Sequence, residues 1–231
     1  MKIDRHGGYV IPRNKLVSVL IVFPIVFWGC TASLLCQYNP LAPKIPTPRV
    51  EVLSIHDTVD GRPWHERMGI PSTMQPLWGV GHWATKNLQD DLHQILLNEI
   101  RRSGIAEHVS SPLEDSIWSA KIEVMTLSVK DELQWWSDPV PIYLLGSVFG
   151  IPMRQIRGEC LLRCRLLKDG KVIMDEEYLG TRRPRLCSEY LLRRSRTKAA
   201  CGALANATAK MILRLDRQLA SYEALEEVDR L

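Results

Sequence analysis

Recognised catalytic arrangements are what this chain lacks most plainly. There is no GxSxG elbow to present a serine nucleophile, no Walker loop to cradle a triphosphate and no GxGxxG turn for a dinucleotide. The enzyme classes that carry those motifs are thereby set aside. Six histidines, His6, His56, His65, His82, His93 and His108, form neither HExxH nor any other recognised ligand pair, although His65 stands beside Glu66. Solvated or core-satisfied imidazoles account for them, so no metal and no cofactor are expected. Asp90 and Asp91 are successive helix residues pointing about 100° apart, which excludes a facing carboxylate pair. Internal repeats are also lacking, which excludes a solenoid.

Charge is missing from one long stretch: nothing ionisable to Asp, Glu, Lys or Arg occurs between Lys15 and Lys44. Lys2, Arg5, Arg13 and Lys15, against Asp4 alone, precede the apolar run from Leu16 to Gly29. A basic flank followed by an uncharged segment of this length reads as a signal peptide over residues 1–29. Phe27-Trp28-Gly29-Cys30 resembles the lipobox of bacterial lipoproteins, in which a small residue precedes a cysteine that receives diacylglycerol. Gly29 and Cys30 match that pattern, whereas Phe27 and Trp28 are bulkier than the residues usual there. The resemblance implies lipidation at Cys30, with acyl chains such as palmitate holding the mature chain to a membrane. The alternatives are an uncleaved inner-membrane signal anchor, for which Leu16 to Leu35 is long enough, and a buried core helix of a cytosolic protein. Both membrane readings put the basic flank in the cytoplasm and the rest across the membrane. Cleavage before Cys30 leaves 202 residues and lowers the formal charge from +4 to +1, so the basic character owes much to the leader.

Beyond the anchor, residues 30–49 hold Pro40, Pro43, Pro46 and Pro48, which predicts an extended tether rising about 3 Å per residue. A single domain is expected over 50–222, with a short tail at 223–231; 45% hydrophobic and 24% charged residues suit one globular core. Val50 to Ile55 alternates as a strand. Residues 57–81 read as irregular, with a short hairpin, packed down by Trp64 and Trp78. Thr85 to Arg102 reads as a helix with Leu88, Leu92, Ile95, Leu96 and Ile100 on one stripe and Gly104 as its stop. Ile117 to Lys130 reads as a strand in which Ala120, Ile122 and Val124 point inward. Met125, Leu127 and Val129 then take the opposite parity, which predicts a bulge near Val124. A hairpin joins 159–167 to 171–179 through a three-residue bulged loop, Lys168-Asp169-Gly170. It sets Cys160, Leu162, Cys164 and Leu166 on one face with Val172, Met174 and Tyr178, and pairs Arg163 with Asp175 on the other. A long helix starts near Ser188 and buries Ala200, Leu204, Thr208, Met211, Leu215, Leu219 and Tyr222. The fold class is thus an α/β two-layer sandwich (α+β), a mostly antiparallel sheet with two main helices on one face.

The anchor cysteine, the proline tether, a helix ending in Ile100-Arg-Arg-Ser-Gly-Ile105 and a hairpin around Lys168-Asp-Gly-Lys171 before a terminal helix resemble a known group. They look like the small bacterial envelope lipoproteins that include ABC-type transport auxiliary components and the lipopolysaccharide-assembly lipoprotein. The resemblance covers roughly residues 30–220. It implies a non-enzymatic protein of the cell envelope that docks on a membrane machine by protein binding. By resemblance to the sorting rule of enteric bacteria, Thr31 after the cysteine implies an outer-membrane lipoprotein facing the periplasm.

Two segments carry the expected binding residues. Residues 135–153 contain one charge, Asp138, and include Trp135, Trp136, Tyr143, Leu144, Leu145 and Phe149. So apolar a run inserts into a leaflet, lines a lipid groove, buries itself in a partner or folds back over its own sheet. From 182 to 198, Arg182, Arg183, Arg185, Arg193, Arg194, Arg196 and Lys198 oppose Glu189 alone. That cluster attracts phosphate-bearing headgroups or an acidic partner, or else forms a solvated helix face. An exported domain meets no nucleic acid, so none is expected. Cys160 and Cys164 lie about 13 Å apart along a strand, too far to bond each other. Each could form a disulfide with Cys187 or Cys201, or all four remain small buried thiols. A periplasmic hydrolase with its cleft in 57–83, built from His56, Asp57, His65 and Glu66, is the competing enzyme reading. A structural subunit of an appendage or secretion complex is the other.

Overall fold

The computed structural model describes residues 38–67, 69–74, 80–83, 88–110, 116–134, 146, 149–187 and 192–229. In chain order the elements are β1 (Val50–Ile55), β2 (Val59–Asp60), α1 (Trp64–Arg67), β3 (Ile70–Met74), β4 (Val80–Trp83) and α2 (Leu88–Ser103). There follow β5 (Ala106–Ser110), β6 (Trp118–Leu133), β7 (Arg154–Lys168), β8 (Lys171–Cys187) and α3 (Leu192–Asp229). The eight strands form one sheet.

Strand β6, 16 residues long, is its axis. One edge pairs antiparallel with β7 from Trp118 opposite Lys168 to Leu133 opposite Arg154. The other edge takes three short strands end to end, all parallel to it: β1 at Trp118–Ala120, β2 at Glu123–Val124 and β3 at Val129–Asp131. Outside these, β5 runs parallel to β1 and β4 antiparallel to β3, while β8 completes the antiparallel side beyond β7. The long ladders are antiparallel, as expected, but the short strands make the sheet a mixed one within an α+β fold. The physical reason is the route of the chain: α2 lies between β1 and β5, and a strand-helix-strand crossover returns the second strand parallel to the first.

Register follows the side-chain pattern closely. The bulge in β6 falls between Val124 and Thr126, so Ala120, Ile122 and Val124 before it and Leu127 and Val129 after it are all buried. The β7–β8 turn has two residues, since Lys168 pairs with Lys171 and both Asp169 (φ 49°) and Gly170 (φ 75°) are left-handed. That corrects the three-residue loop. A bulge immediately afterwards, between the Leu166–Met174 and Leu167–Val172 pairs, restores the parity that a two-residue turn alone would break. Met174 and Tyr178 are buried as expected, but Val172 lies before the bulge and is exposed. On the opposite face Arg163 grips Asp175 through Nε at 2.7 Å and Nη2 at 2.6 Å, and its guanidinium holds that carboxyl below the usual range.

Helices α2 and α3 contribute to one core with the sheet. Leu88, Leu92, Ile95, Leu96 and Ile100 of α2 are buried, and Gly104 (φ 72°) ends it. From α3, Ala200, Leu204, Thr208, Met211, Leu215 and Leu219 are buried. Tyr222 meets Trp118 edge-on, with ring centroids 5.8 Å apart. The helix continues to Asp229, beyond the expected end of the domain. In the 57–81 region the hairpin is β3–β4, but Trp64, expected to pack the region down, is 76% exposed. That region is closed instead by Arg62, fully buried, which grips Asp60 at 2.6 and 2.8 Å and donates to the Gly69 carbonyl at 2.8 Å. Trp78 and Thr85 lie outside the described residues.

Helix α3 lies so close to the sheet that two strand positions admit no side chain. A Cβ on Gly158 would stand 2.1 Å from the Ala199 carbonyl oxygen, and one on Gly180 would stand 2.1 Å from that of Ala203 and 2.5 Å from the Ala207 nitrogen. These are backbone atoms and cannot swing aside. Gly180→Ala is expected to destabilise the full chain by about 2–3 kcal/mol, the upper range for overpacking. A denaturant midpoint unchanged from that of the parent would contradict the close approach.

Candidate functional site

Pro184 shapes the end of β8. It has no N–H for a ladder, and the register slips there: three steps from Arg182 to Arg185 face two from Gly158 to Ile156. Arg182, Arg183, Arg185 and Leu186, which a regular strand would send alternately to two faces, all line one cleft of about 560 Å³. Its other walls are Ser195, Lys198, Ala199, Cys201 and Gly202 of α3, Ile156 of β7, and Asn39 and Leu41 of the segment before β1. Gly202 leaves room for the Arg182 stem, whose Cδ would sit 2.7 Å from a Cβ there. Among the described residues the lining thus holds four cations and no acid, and none of the four makes an ion pair there. Leu186 is 62% and Leu41 43% exposed, so apolar surface borders the charge.

The cleft is braced by a buried ion cluster. Asp131, fully buried on β6, accepts from Arg154 of β7 at 3.3 Å and from Arg196 of α3 through Nε at 3.0 Å and through Nη2. One carboxylate thereby fastens the first residue of β7 and the first turns of α3 to the central strand. Asp131 continues the buried alternation of Leu127 and Val129, a signal from which its burial could have been read. Arg196, counted with the surface cluster on sequence grounds, points inward and leaves that cluster.

The remaining expected sites divide as follows. Arg194 is exposed on α3 but does not line the cleft, and the side chain of Arg193 lies outside the described residues. Trp135, Trp136, Tyr143, Leu144 and Leu145 also lie outside them. Phe149 is 75% exposed, and Ile151 beside it is exposed too. The structure holds Cys160, Cys164, Cys187 and Cys201 as buried thiols, not as the disulfide the sequence allowed. Burial pushes Cys160, Cys164 and Cys201 up to about 12, so neither nucleophile nor metal ligand is poised there. The Cys187 thiol donates to Ser195 Oγ at 3.1 Å. For the hydrolase reading, His56 is pushed down by burial and by Lys121, and neither this cleft nor the one described next is lined by His56, Asp57 or Glu66. The side chain of His65 lies outside the described residues. Among the described residues no helix is long and apolar enough to cross a membrane.

Residues 38–49, expected as a spacer, are a strap laid on the domain. Ile45 is buried, Tyr38 and Ala42 pack against the core, and the Ile45 and Arg49 N–H groups donate to Ser103 and Ile105 carbonyls at 2.7 and 2.8 Å. Arg49 Nε reaches Asp216 at 2.6 Å. Glu99, 2% exposed, accepts the Ala42 N–H at 3.2 Å, with Arg102 at 3.9 Å. Beside it a second cleft of about 380 Å³ is lined by Tyr38, Pro40, Ile95, Asn98, Glu99, Arg101 and Arg102. The strap was missed because its prolines read as spacer; Ile45, the apolar residue among them, was the available signal.

No protein-family model matches the chain, and no curated protein matches it in sequence. Among solved structures, a Xanthomonas campestris protein of the DUF330 family aligns with a TM-score of 0.56 at 12% identity, over 82% of this chain and 97% of the other. A Helicobacter pylori protein assigned as a neuraminyllactose-binding hemagglutinin homologue aligns at 0.46 and 9% identity, over 83% and 97%. A Caulobacter crescentus protein assigned as a lipoprotein aligns at 0.36 and 16% identity, over 55% and 82%. At such identities the first of these shares the fold.

Two expected outcomes test the bracing of the cleft. Asp131→Asn leaves two guanidinium groups around a neutral amide and is expected to cost about 3–5 kcal/mol, read from chemical denaturation; a loss below about 1 kcal/mol would refute the bracing role. Desolvation raises the Glu99 carboxyl above its unfolded value. Its contribution to stability is therefore full below the unfolded value and lost as pH rises through the folded one. Glu99→Gln should match the parent in melting temperature at acid pH and exceed it at neutral pH; parallel pH profiles would refute this.

Proposed function

We propose that this chain is a membrane-tethered accessory protein of the bacterial cell envelope that acts by binding and not by catalysis. The observation that carries the reading is the strap: the segment that leads from Cys30 is bonded into the domain and forms one wall of an acid-free cationic cleft. Nine Cα-to-Cα steps lead from Cys30 to Asn39, a contour of at most about 32 Å at full extension. A lipid on Cys30 keeps the cleft within reach of the headgroup layer and raises its effective concentration there. The lipobox-like tetrad at residues 27–30 supports this reading.

In its finer form the protein is an outer-membrane lipoprotein facing the periplasm, and its partner is an envelope complex of the transport or lipopolysaccharide-assembly kind. Arg194 and Phe149 are exposed and available to that complex, and Trp135, Trp136, Tyr143, Leu144 and Leu145 are assigned to it on sequence grounds alone. Mass spectrometry of native chain extracted from membranes is expected to find an acylated Cys30 at the amino terminus, and labelled palmitate should enter the parent but not Cys30→Ser. Membrane-bound chain with Met1 intact and Cys30 unmodified would establish the uncleaved anchor instead. Native chain dissolved in the cytosol would defeat the envelope reading altogether.

A further inference from the structure

The geometry points to a phosphate-bearing amphiphile as the ligand of the cleft, its headgroup on Arg182, Arg183, Arg185 and Lys198 and its first methylenes on Leu41 and Leu186; this rests on the binding role proposed above. Four cations share one lining, and no carboxylate stands among its described residues to offset their field. Guanidinium groups present paired N–H donors that match phosphate oxygens bidentately, which a lone ammonium does not. A volume of about 560 Å³ lies within the range of small-ligand pockets.

Charge alone would serve an acidic protein equally well. The apolar border decides between them. Leu41 and Leu186 stand in water at 43% and 62% exposure beside the cations, and Ile156 and Ala199 line the cleft with them. A ligand with an anionic end and a hydrocarbon end covers both kinds of surface at once. The approach is also short, because Leu41 belongs to the strap that leads back to the anchor segment.

The site is held in shape by groups that do not take part in it. Arg196 is drawn inward by Asp131, which fixes the α3 turn carrying Ser195, Lys198 and Ala199. Cys187 bonded to Ser195 ties the end of β8 to the same turn. The cations therefore face a preformed concavity, and binding needs little ordering of the chain.

The test is retention of dioleoyl phosphatidylglycerol by full chain in detergent, followed by native mass spectrometry, with dioleoyl phosphatidylcholine, glycerol phosphate and inorganic phosphate as the comparison probes. Phosphatidylglycerol is expected to bind, and the combined variant Arg182→Gln, Arg183→Gln, Arg185→Gln, Lys198→Gln to bind at least about tenfold more weakly. A variant with the same change in net charge elsewhere, at the exposed Lys44, Lys121, Lys171 and Arg217, should bind as the parent does. Leu186→Ser should weaken the lipid and leave glycerol phosphate unaffected. Equal binding by both charge variants would overturn the site. Glycerol phosphate or inorganic phosphate binding as tightly as the lipid would overturn the amphiphile and leave a free phosphate ligand. No lipid uptake, with capture of an acidic protein through the same arginines, would overturn it in favour of a protein interface. The readout needs no anchor, so Cys30→Ser chain that retains the lipid separates this inference from the tether.

Discussion

Occupation of both edges of β6 is the constraint on which the architecture depends. On one side it is zipped to β7 along its length; on the other it holds β1, β2 and β3 in line, none of which is long enough to be stable unpaired. Its inward residues share one core with the two helices, and the bulge at Met125 keeps that inward set continuous. Asp131 lies near its far end, where β7 begins and α3 enters. A strand that is only a ladder at one end is, at the other, the post to which two cationic side chains are tied. The energetic weight of that carboxylate comes from its surroundings: a guanidinium buried alone costs far more than a paired one.

The cationic cleft follows from three small departures from regularity. A proline and an extra residue deform the last turns of β8, a glycine on α3 makes room for an arginine stem, and the chain before β1 returns along the domain to supply the third wall. None of these places a reactive group. The thiols nearest the cleft are buried within the helix-sheet interface, where desolvation suppresses their ionisation. Among the described residues, the neighbourhood gathers cations beside apolar surface.

Much of the fold was legible because apolar spacing records burial directly. The parity change around Val124 announced the bulge, and the stripes on α2 and α3 marked their buried sides. Strand direction was less accessible, since alternation is the same for parallel and antiparallel neighbours; the helix between β1 and β5 was the usable clue. The β7–β8 turn was misjudged because one bulge was assumed to sit in the loop when it sits one pair beyond it, and the two arrangements give nearly the same inward set. Arg182, Arg183 and Arg185 were recognisable from charge density. Their convergence with Leu41 was not, because 141 residues separate Leu41 from Arg182 and no local pattern joins them. Arg196 shows the limit of counting charge along a chain, for Arg194 and Lys198 are exposed while it answers a carboxylate 65 positions away.

The strap has a mechanical consequence. Twelve residues that a free linker would leave fluctuating are fixed at Ser103, Ile105, Glu99 and Asp216, at a conformational cost of about 1–2 kcal/mol per residue already met when the domain folds. The globule cannot swivel freely about residue 49; any pull from the amino-terminal side reaches α2 and α3 through side-chain and backbone bonds before it reaches the sheet. Load applied at residue 38 is therefore shared between the two helices from the outset.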